Sequence, residues 1–281
     1  MSQNKENNSL AKITLSSAES QLAPRSAAER FRALAKSTSQ IRPILGLQVA
    51  FFFDTTGSMY PYFDLVRESL QKIMDRIVEE KIEVEFAFYA YKNHGDEGKC
   101  DGTNPFVHQK FTSRTEDITY SLQKVYNGGG GDGLCALEDA FHDLNRSAGL
   151  AGAGQKRLAI VVGDVPPHGV IDSKEKCPQK FDQAAEVAGL VSKKFVFYSV
   201  FCAEENELAS PRMQKIQEYY RALPTTSGGK YLDLKDIEAL VDIILAICLK
   251  AVNKIEVFQK QLLARKTLPA ETRRLLEAIN K

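Results

Sequence analysis

Two continuous apolar runs dominate the pattern of hydrophobic and polar positions, and each ends at an aspartate. The first run, 47–53, leads into Asp54, and the second, 158–162, leads through Gly163 into Asp164. Unbroken apolar strands are typical of a parallel sheet whose two faces are both covered by helices. Such sheets bind ligands at the carboxyl ends of their strands, where the strand order reverses. The pattern therefore predicts that both aspartates point into one crevice.

Between and beyond these runs, helical periodicity alternates with short apolar or alternating segments. The predicted helices cover 60–80, 115–126, 134–144, 182–193, 213–222 and 237–252, and the further strands cover 82–91, 105–111, 195–202 and 230–232. Repeated strand and helix units without an internal sequence repeat indicate an α/β fold. We expect a doubly wound, mostly parallel, Rossmann-like central sheet with helices on both faces.

The two ends of the chain differ from its centre. Residues 1–43 are rich in Ser, Asn, Gln and Ala, which predicts a flexible extension with a short helix around Phe31. The main domain is predicted over 44–252. A C-terminal helical extension, 253–281, follows, and it carries an apolar stripe at helical spacing: Leu275, Leu276 and Ile279. Packing of this stripe onto the domain and docking of a partner are both open at this stage.

The turn that follows the first strand has the composition of a metal site. Asp54, Thr56 and Ser58 alternate, so a curled loop can turn one carboxylate and two hydroxyls toward a common centre, and Gly57 eases the turn. All of these ligand atoms are oxygens. Hard oxygen donors with few formal charges favour Mg²⁺, or Mn²⁺ in its place, over Zn²⁺.

A run of glycines, 127–133, precedes the third helix of the main domain and ends in Asp132 and Gly133. Four consecutive glycines indicate that another group comes close to the backbone there. No Lys-Ser or Lys-Thr follows, so the run is not a Walker-type phosphate loop. The alternative is that the glycines bring Asp132 toward the metal.

Composition and charge narrow the range of functions. The 37 Lys and Arg residues balance 36 Asp and Glu residues, which gives no support for a nucleic-acid partner. No secretory signal is recognisable, and no apolar segment is long enough to span a bilayer. Five cysteines at irregular spacings favour free thiols in a reducing compartment. We therefore expect a cytoplasmic protein.

These residues resemble a von Willebrand factor A domain over 44–252. Asp54-Thr55-Thr56-Gly57-Ser58-Met59 is similar to the DxTxS signature of that family's metal-ion-dependent adhesion site, in which the acid and both hydroxyls bind a divalent cation. Asp164 matches the family's later aspartate. The family's usual middle threonine is missing, and the GGGD-type turn and GDxPPHG-like segment resemble intracellular members associated with α-kinases. The resemblance makes Asp132 the candidate for that position.

The function expected from this site is metal-dependent protein–protein interaction rather than catalysis. An Asp or Glu of the partner would complete the coordination of the cation, with Tyr60, His94 and His168 on the rim of the site. The resemblance implies a partner such as an ATPase, a kinase or a multi-subunit complex. A metal that merely holds the loops of a scaffold domain together is an alternative.

Two other chemistries deserve comparison with this interpretation. A haloacid-dehalogenase-type phosphatase or ATPase also places an aspartate after an apolar strand, but Thr56 occupies the position of its second acid. A zinc site could use His94, Cys100, His108 and Cys177. Their spacing matches no common zinc pattern, so they are interpreted as ordinary loop and core residues.

Overall fold

The computed structural model describes residues 46–79, 82–203, 209–234, 239–256, 260 and 270–280. All of them belong to one compact unit, Pro43–Lys281. The predicted flexible extension with its helix around Phe31 lies outside the described residues, as do residues 257–259, 261–269 and 281 of the predicted C-terminal extension. Within the described ranges, every predicted strand and helix is present, with its ends within three residues of the prediction.

The centre of the fold is a six-stranded, mostly parallel sheet with the strand order β3-β2-β1-β4-β5-β6. Its strands are β1 Leu47–Asp54, β2 Val84–Tyr91, β3 Phe106–Thr112, β4 Lys156–Gly163, β5 Phe195–Phe201 and β6 Tyr231–Asp233. Only the edge strand β3 runs antiparallel to its neighbour. Because β1 and β4 are adjacent and Phe53 pairs with Val162, the two acid-terminated strands end side by side, as predicted.

Side chains of the central strands alternate between two buried clusters. Phe51 and Phe53 belong to the first cluster, whereas Ala50 and Phe52 belong to the second. The helices are α1 Tyr60–Glu79, α2 Thr115–Gln123, α3 Leu137–Ser147, α4 Gln183–Ser192, α5 Pro211–Ala222, α6 Ala239–Ala251 and α7 Ala270–Asn280. The first cluster includes residues of α1, α2, α6 and α7, and the second includes residues of α3, α4 and α5. Burial on both sides explains the continuous apolar runs 49–53 in β1 and 158–162 in β4.

The C-terminal stripe packs onto the domain. Leu275, Leu276 and Ile279 of α7 are all buried in the first cluster, beside residues of α6. Lys250 of α6 donates a hydrogen bond to the carbonyl of Ile279, which ties the two helices together. Of the two alternatives open from the sequence, packing onto the domain is the one observed.

The remaining global expectations concern the cysteines and the membrane. All five cysteines lie within the described residues and are free thiols. Among the helices that the structure describes, none combines the length and the apolar character needed to cross a bilayer.

Candidate metal centre

Asp54 closes β1 and is fully buried. Its Oδ1 atom accepts a hydrogen bond of 2.8 Å from the backbone amide of Thr56, which fixes the start of the turn. Its Oδ2 atom is also buried, and no hydrogen-bond partner for it exists among the described residues. A buried carboxylate oxygen without a partner is costly. This oxygen therefore has a free coordination position.

Two hydroxyls continue from Asp54 toward Asp164. Thr56 Oγ1 lies 3.3 Å from Ser58 Oγ, and Ser58 Oγ donates a hydrogen bond of 2.9 Å to Asp164 Oδ1. Metal–oxygen bonds of about 2.0–2.1 Å place neighbouring ligands of octahedral Mg²⁺ about 2.9 Å apart. Ser58 is exposed, whereas the other three residues are buried. The oxygen atoms of these four residues are of the ligand type that Mg²⁺ prefers, and the group opens to solvent at Ser58.

Asp54 and Asp164 lie close enough for their negative charges to interact, and the surrounding groups do not fully offset this repulsion and the burial. Burial, together with the negative charge of Asp164, raises the pKa of Asp54 to about 8. The hydrogen bond from Thr56 and the more distant charge of Lys92 act in the opposite direction but do not outweigh burial. A divalent cation between the two carboxylates would supply the missing positive charge.

Lys92, which the sequence reasoning did not single out, connects the turn after Asp54 to the glycine run through its buried ammonium group. It follows β2 directly and is 1% exposed. Its Nζ atom donates to the carbonyl oxygens of Thr55 at 2.8 Å, Gly128 at 2.7 Å and Tyr126 at 2.5 Å. Burial lowers the pKa of this amine. A charged residue directly after an apolar strand was the available signal.

The glycine run closes over the Asp54 turn. The amide of Gly57 donates to the carbonyl of Gly129 at 3.1 Å, and a Cβ atom on Gly130 would lie 3.3 Å from the Cβ of Thr56. A Cβ on Gly129 would lie 2.5 Å from Asp96 Oδ2, the carboxylate oxygen that accepts from the amide of Gly130. The close approach predicted for the run is therefore present, and Asp96 and Thr56 are the approaching groups.

Asp132 has partners of its own. It is exposed, and its Oδ1 atom accepts hydrogen bonds from Asn93 Nδ2 at 2.6 Å and from the amide of Leu134 at 3.1 Å. These bonds fix the end of the glycine run. No hydrogen bond among the described residues joins Asp132 to Asp54, and its role as a metal ligand stays a prediction.

The three residues predicted for the rim differ in exposure. Tyr60 is 75% exposed at the start of α1. The side chains of His94 and His168 are only 10% and 7% exposed. Both histidines are turned inward because each pairs with a carboxylate at the start of α3. This burial differs from the rim location expected for them.

A second polar cluster lies around these histidines, and the sequence reasoning missed it as a unit. His94, Glu138, Asp139 and Cys177 each place a ligand atom within 4.8 Å of the others. His94 Nε2 lies 3.1 Å from Asp139 Oδ2 and 3.6 Å from Cys177 Sγ, and Cys177 Sγ lies 3.3 Å from Asp139 Oδ2. His168 Nδ1 lies 2.6 Å from Glu138 Oε1. We call these five residues the His94 cluster.

Burial shapes the titration of two members of the His94 cluster. For His94, burial lowers the pKa, but the hydrogen bond and negative charge of Asp139 outweigh it, so the net direction is upward. For Cys177, burial and the nearby charge of Asp139 raise the pKa to about 12. An activated cysteine nucleophile requires the opposite direction.

The zinc alternative considered from the sequence is only partly reflected in the structure. His94 and Cys177 come together in the His94 cluster. His108 instead stacks on Tyr89 with ring centroids 5.8 Å apart, and Cys100 packs at the edge of the first core cluster. Sequence spacing could not distinguish His94 and Cys177, which lie in the cluster, from Cys100 and His108, which do not, because the residues of the cluster come from three distant segments.

Comparison with known proteins extends to the fold alone. No family model and no curated protein matches the chain. Two crystal structures of the pilus adhesin SpaC from Lactobacillus rhamnosus GG superpose with a TM-score of 0.54, at 12% and 13% identity over 76% of this chain. Proximal thread matrix protein 1 from the mussel byssus gives a TM-score of 0.46, at 13% identity over 74% of this chain. The matched region spans 31% and 30% of the two adhesin chains and 46% of the mussel protein.

Proposed function

We propose that this chain is a cytoplasmic von Willebrand factor A domain protein that binds an acidic protein partner through a divalent cation. Under this proposal the six-stranded sheet is the doubly wound, Rossmann-like sheet of that family. The cation is Mg²⁺, or Mn²⁺ in its place, and its protein ligands are Asp54, Thr56, Ser58 and Asp164, with Asp132 as a further candidate.

Two observations carry the proposal together: Ser58 Oγ contacts Asp164 Oδ1, and Asp54 Oδ2 is buried without a hydrogen-bond partner among the described residues. This contact joins residues 106 positions apart in the sequence. Adjacent parallel strands bring the two segments to the edge of the sheet where ligands of α/β proteins bind. Acidic and hydroxyl oxygens at such short spacing match the preference of Mg²⁺.

The arrangement suits recognition because it is buried on one side and open on the other. Asp54 and Thr56 are 0% and 3% exposed, which fixes their positions, whereas Ser58 faces solvent. When bound, the cation would supply a Lewis-acidic position that a carboxylate of the partner can occupy. The exposed ring of Tyr60, two residues further on, offers an apolar contact next to that position.

The first test is calorimetric titration of Mg²⁺ and of Mn²⁺ into the chelator-treated full chain. We expect saturable binding in the wild type, its loss in Asp54→Ala, and its retention in Asp64→Ala, a control whose side chain is 81% exposed on α1. Far-UV circular dichroism verifies that the variants are folded. Equal binding by the two variants, or no binding by the wild type, would refute the proposal.

The second test separates recognition from catalysis. Immobilised wild-type chain should retain a partner in Mg²⁺ and release it when a chelator is added, whereas Asp54→Ala should retain none. The wild type should not release phosphate from a generic aryl phosphate in Mg²⁺. Metal-dependent phosphate release that disappears in Asp54→Ala would favour the phosphatase alternative instead.

A further inference from the structure

We propose that the His94 cluster is a second metal site, which binds Zn²⁺ through His94, Glu138, Asp139 and Cys177. These ligands come from the loop after β2, from the first turn of α3 and from the loop between β4 and α4. The site shares no residue with the group Asp54, Thr56, Ser58 and Asp164, which we call the Asp54 site, and its donor atoms differ. Its test does not depend on the function proposed above.

The ligand atoms of all four residues lie within 4.8 Å of one another, and three of them approach the spacing of tetrahedral zinc. With Zn–N and Zn–O bonds of about 2.0–2.2 Å and Zn–S bonds of about 2.3 Å, neighbouring ligand atoms are about 3.4–3.6 Å apart. The three measured separations among His94 Nε2, Asp139 Oδ2 and Cys177 Sγ run from 3.1 to 3.6 Å. These three atoms would need to move apart by only about 0.3 Å to reach the spacing of tetrahedral ligands.

The buried carboxylate of Glu138 gives independent support for a cation at this position. Its side chain is 0% exposed, and its Oε2 atom is buried without a hydrogen-bond partner among the described residues. The other carboxylate oxygen is held by His168 Nδ1 at 2.6 Å. Buried carboxylates are paired or bind metals, because an uncompensated charge in a protein interior is costly. A cation among the four ligand groups would remove this cost.

The surroundings of the cluster have the features of an outer coordination shell. The Nε2 atom of His94 faces the cluster, while its Nδ1 atom lies 3.7 Å from Glu97 Oε1, so a carboxylate faces the far side of the ring. His168 orients Glu138 in the same manner. Metal-binding imidazoles and carboxylates are usually held by such partners. A cavity of about 810 Å³, lined by residues that include His168 and Cys177, gives an ion a path of entry.

The donor atoms determine which metal is expected. A thiol, an imidazole and two carboxylates suit Zn²⁺, whereas Mg²⁺ and Ca²⁺ prefer oxygen ligands alone. Four protein ligands leave no open position, which is the arrangement of structural zinc. The ion would tie together the three segments that carry its ligands. One of these segments leads from β2 into Asp96, which supports the glycine run over Thr56.

The experiment uses the chelator-treated full chain and two probes, Co²⁺ and Zn²⁺. We expect one Co²⁺ per chain to give a thiolate-to-cobalt charge-transfer band and the intense visible bands of a tetrahedral site, whereas Co²⁺ bound by the oxygen ligands around Asp54 gives neither signal. Zn²⁺ should displace the cobalt, and competition with a chromogenic chelator gives the zinc affinity. Absence of the charge-transfer band in the wild type would overturn the proposal.

The variants assign the ligands. Cys177→Ser should abolish the charge-transfer band and weaken zinc binding more than about 100-fold, while Cys100→Ser, at a half-buried cysteine outside the cluster, should leave both unchanged. His94→Gln should weaken binding as strongly. His168→Gln should weaken it by about 10–100-fold, as expected for an orienting residue. Equal zinc binding in Cys177→Ser and Cys100→Ser would overturn the proposal, and far-UV circular dichroism checks the folding of each variant.

Discussion

The Asp54 site and the His94 cluster lie on neighbouring loops, but different groups surround the buried carboxylates in each. At the Asp54 site, hydroxyls separate two aspartates, and Ser58 opens the group to solvent. In the His94 cluster, imidazoles and a thiol contact the acids directly, and all the side chains are nearly enclosed. The first arrangement leaves room for an exchangeable ligand, whereas the second surrounds its centre with protein.

Exposure and the softness of the ligand atoms together indicate whether a bound cation takes part in recognition or stabilises structure. Oxygen donors around an open position suit a cation that takes part in recognition. A mixed sulfur, nitrogen and oxygen set without an open position suits a cation that stabilises structure. The two sites should therefore differ in the metal they bind, in the substitutions that abolish binding and in the effect of those substitutions on stability and partner capture.

The strongest effect expected is a crossed loss of metal binding. Asp54→Ala should lose Mg²⁺ binding and retain Zn²⁺, while Cys177→Ser should lose Zn²⁺ and retain Mg²⁺, because the two sets share no ligand. Equilibrium dialysis of each variant against each metal, followed by elemental analysis, measures all four combinations. Loss of both metals in a folded variant would show that the two clusters form one coupled site and do not bind metal independently.

A large effect on stability is expected at Lys92, whose ammonium group holds the turn after Asp54. In Lys92→Met the stem is kept, but the carbonyls of Thr55, Tyr126 and Gly128 lose their common donor. We expect the free energy of unfolding to fall by about 3–5 kcal/mol, because three buried carbonyl oxygens lose a charged donor at once. Urea denaturation measures this change.

The control for Lys92 is Lys99→Met. Lys99 contacts Asp96 at 2.8 Å, but its side chain is 56% exposed, so its removal should cost no more than about 1 kcal/mol. Lys92→Met should also weaken Mg²⁺ binding more than Zn²⁺ binding. A loss below about 1 kcal/mol in Lys92→Met would mean that water replaces the ammonium group.

A moderate effect is expected in the glycine run. Gly129→Ala would place a Cβ 2.5 Å from Asp96 Oδ2 at a φ of 109°, so we expect a loss of about 1–3 kcal/mol and weaker Mg²⁺ binding. Gly131→Ala is the matched control, because its φ is also positive but its added Cβ meets nothing within 4 Å. Urea denaturation and calorimetry of both variants isolate the clash. Identical behaviour would mean that Asp96 moves aside freely.

The fold was largely predictable because the apolar pattern reports burial directly. β1 and β4 contain the unbroken apolar runs 49–53 and 158–162, and residues that alternate along β1 enter the two core clusters. The positions of Asp54 and Asp164 followed from the same pattern, since parallel strands end at a common edge. The ends of the helices were less well defined, because capping and local packing decide the last turn.

The His94 cluster was not predictable from spacing. Its cysteine lies 83 residues after His94, and its carboxylates are ordinary acidic residues in the first turn of a helix. Only the topology of the sheet brings these segments together. Lys92 was missed for a similar reason, because three of its acceptors are backbone carbonyls, which carry no signal in the sequence.

The smallest effect on stability is expected at Tyr60, where only recognition should change. Its ring is 75% exposed, so Tyr60→Ser should alter the free energy of unfolding by no more than about 0.5 kcal/mol. Mg²⁺ and Zn²⁺ affinities should match those of the wild type, because the side chain supplies no ligand. Metal-dependent partner capture should weaken, since exposed aromatic side chains often contribute strongly at interfaces. Unchanged capture would restrict recognition to the cation and its immediate ligands, whereas a changed Mg²⁺ affinity would place Tyr60 within the metal site itself.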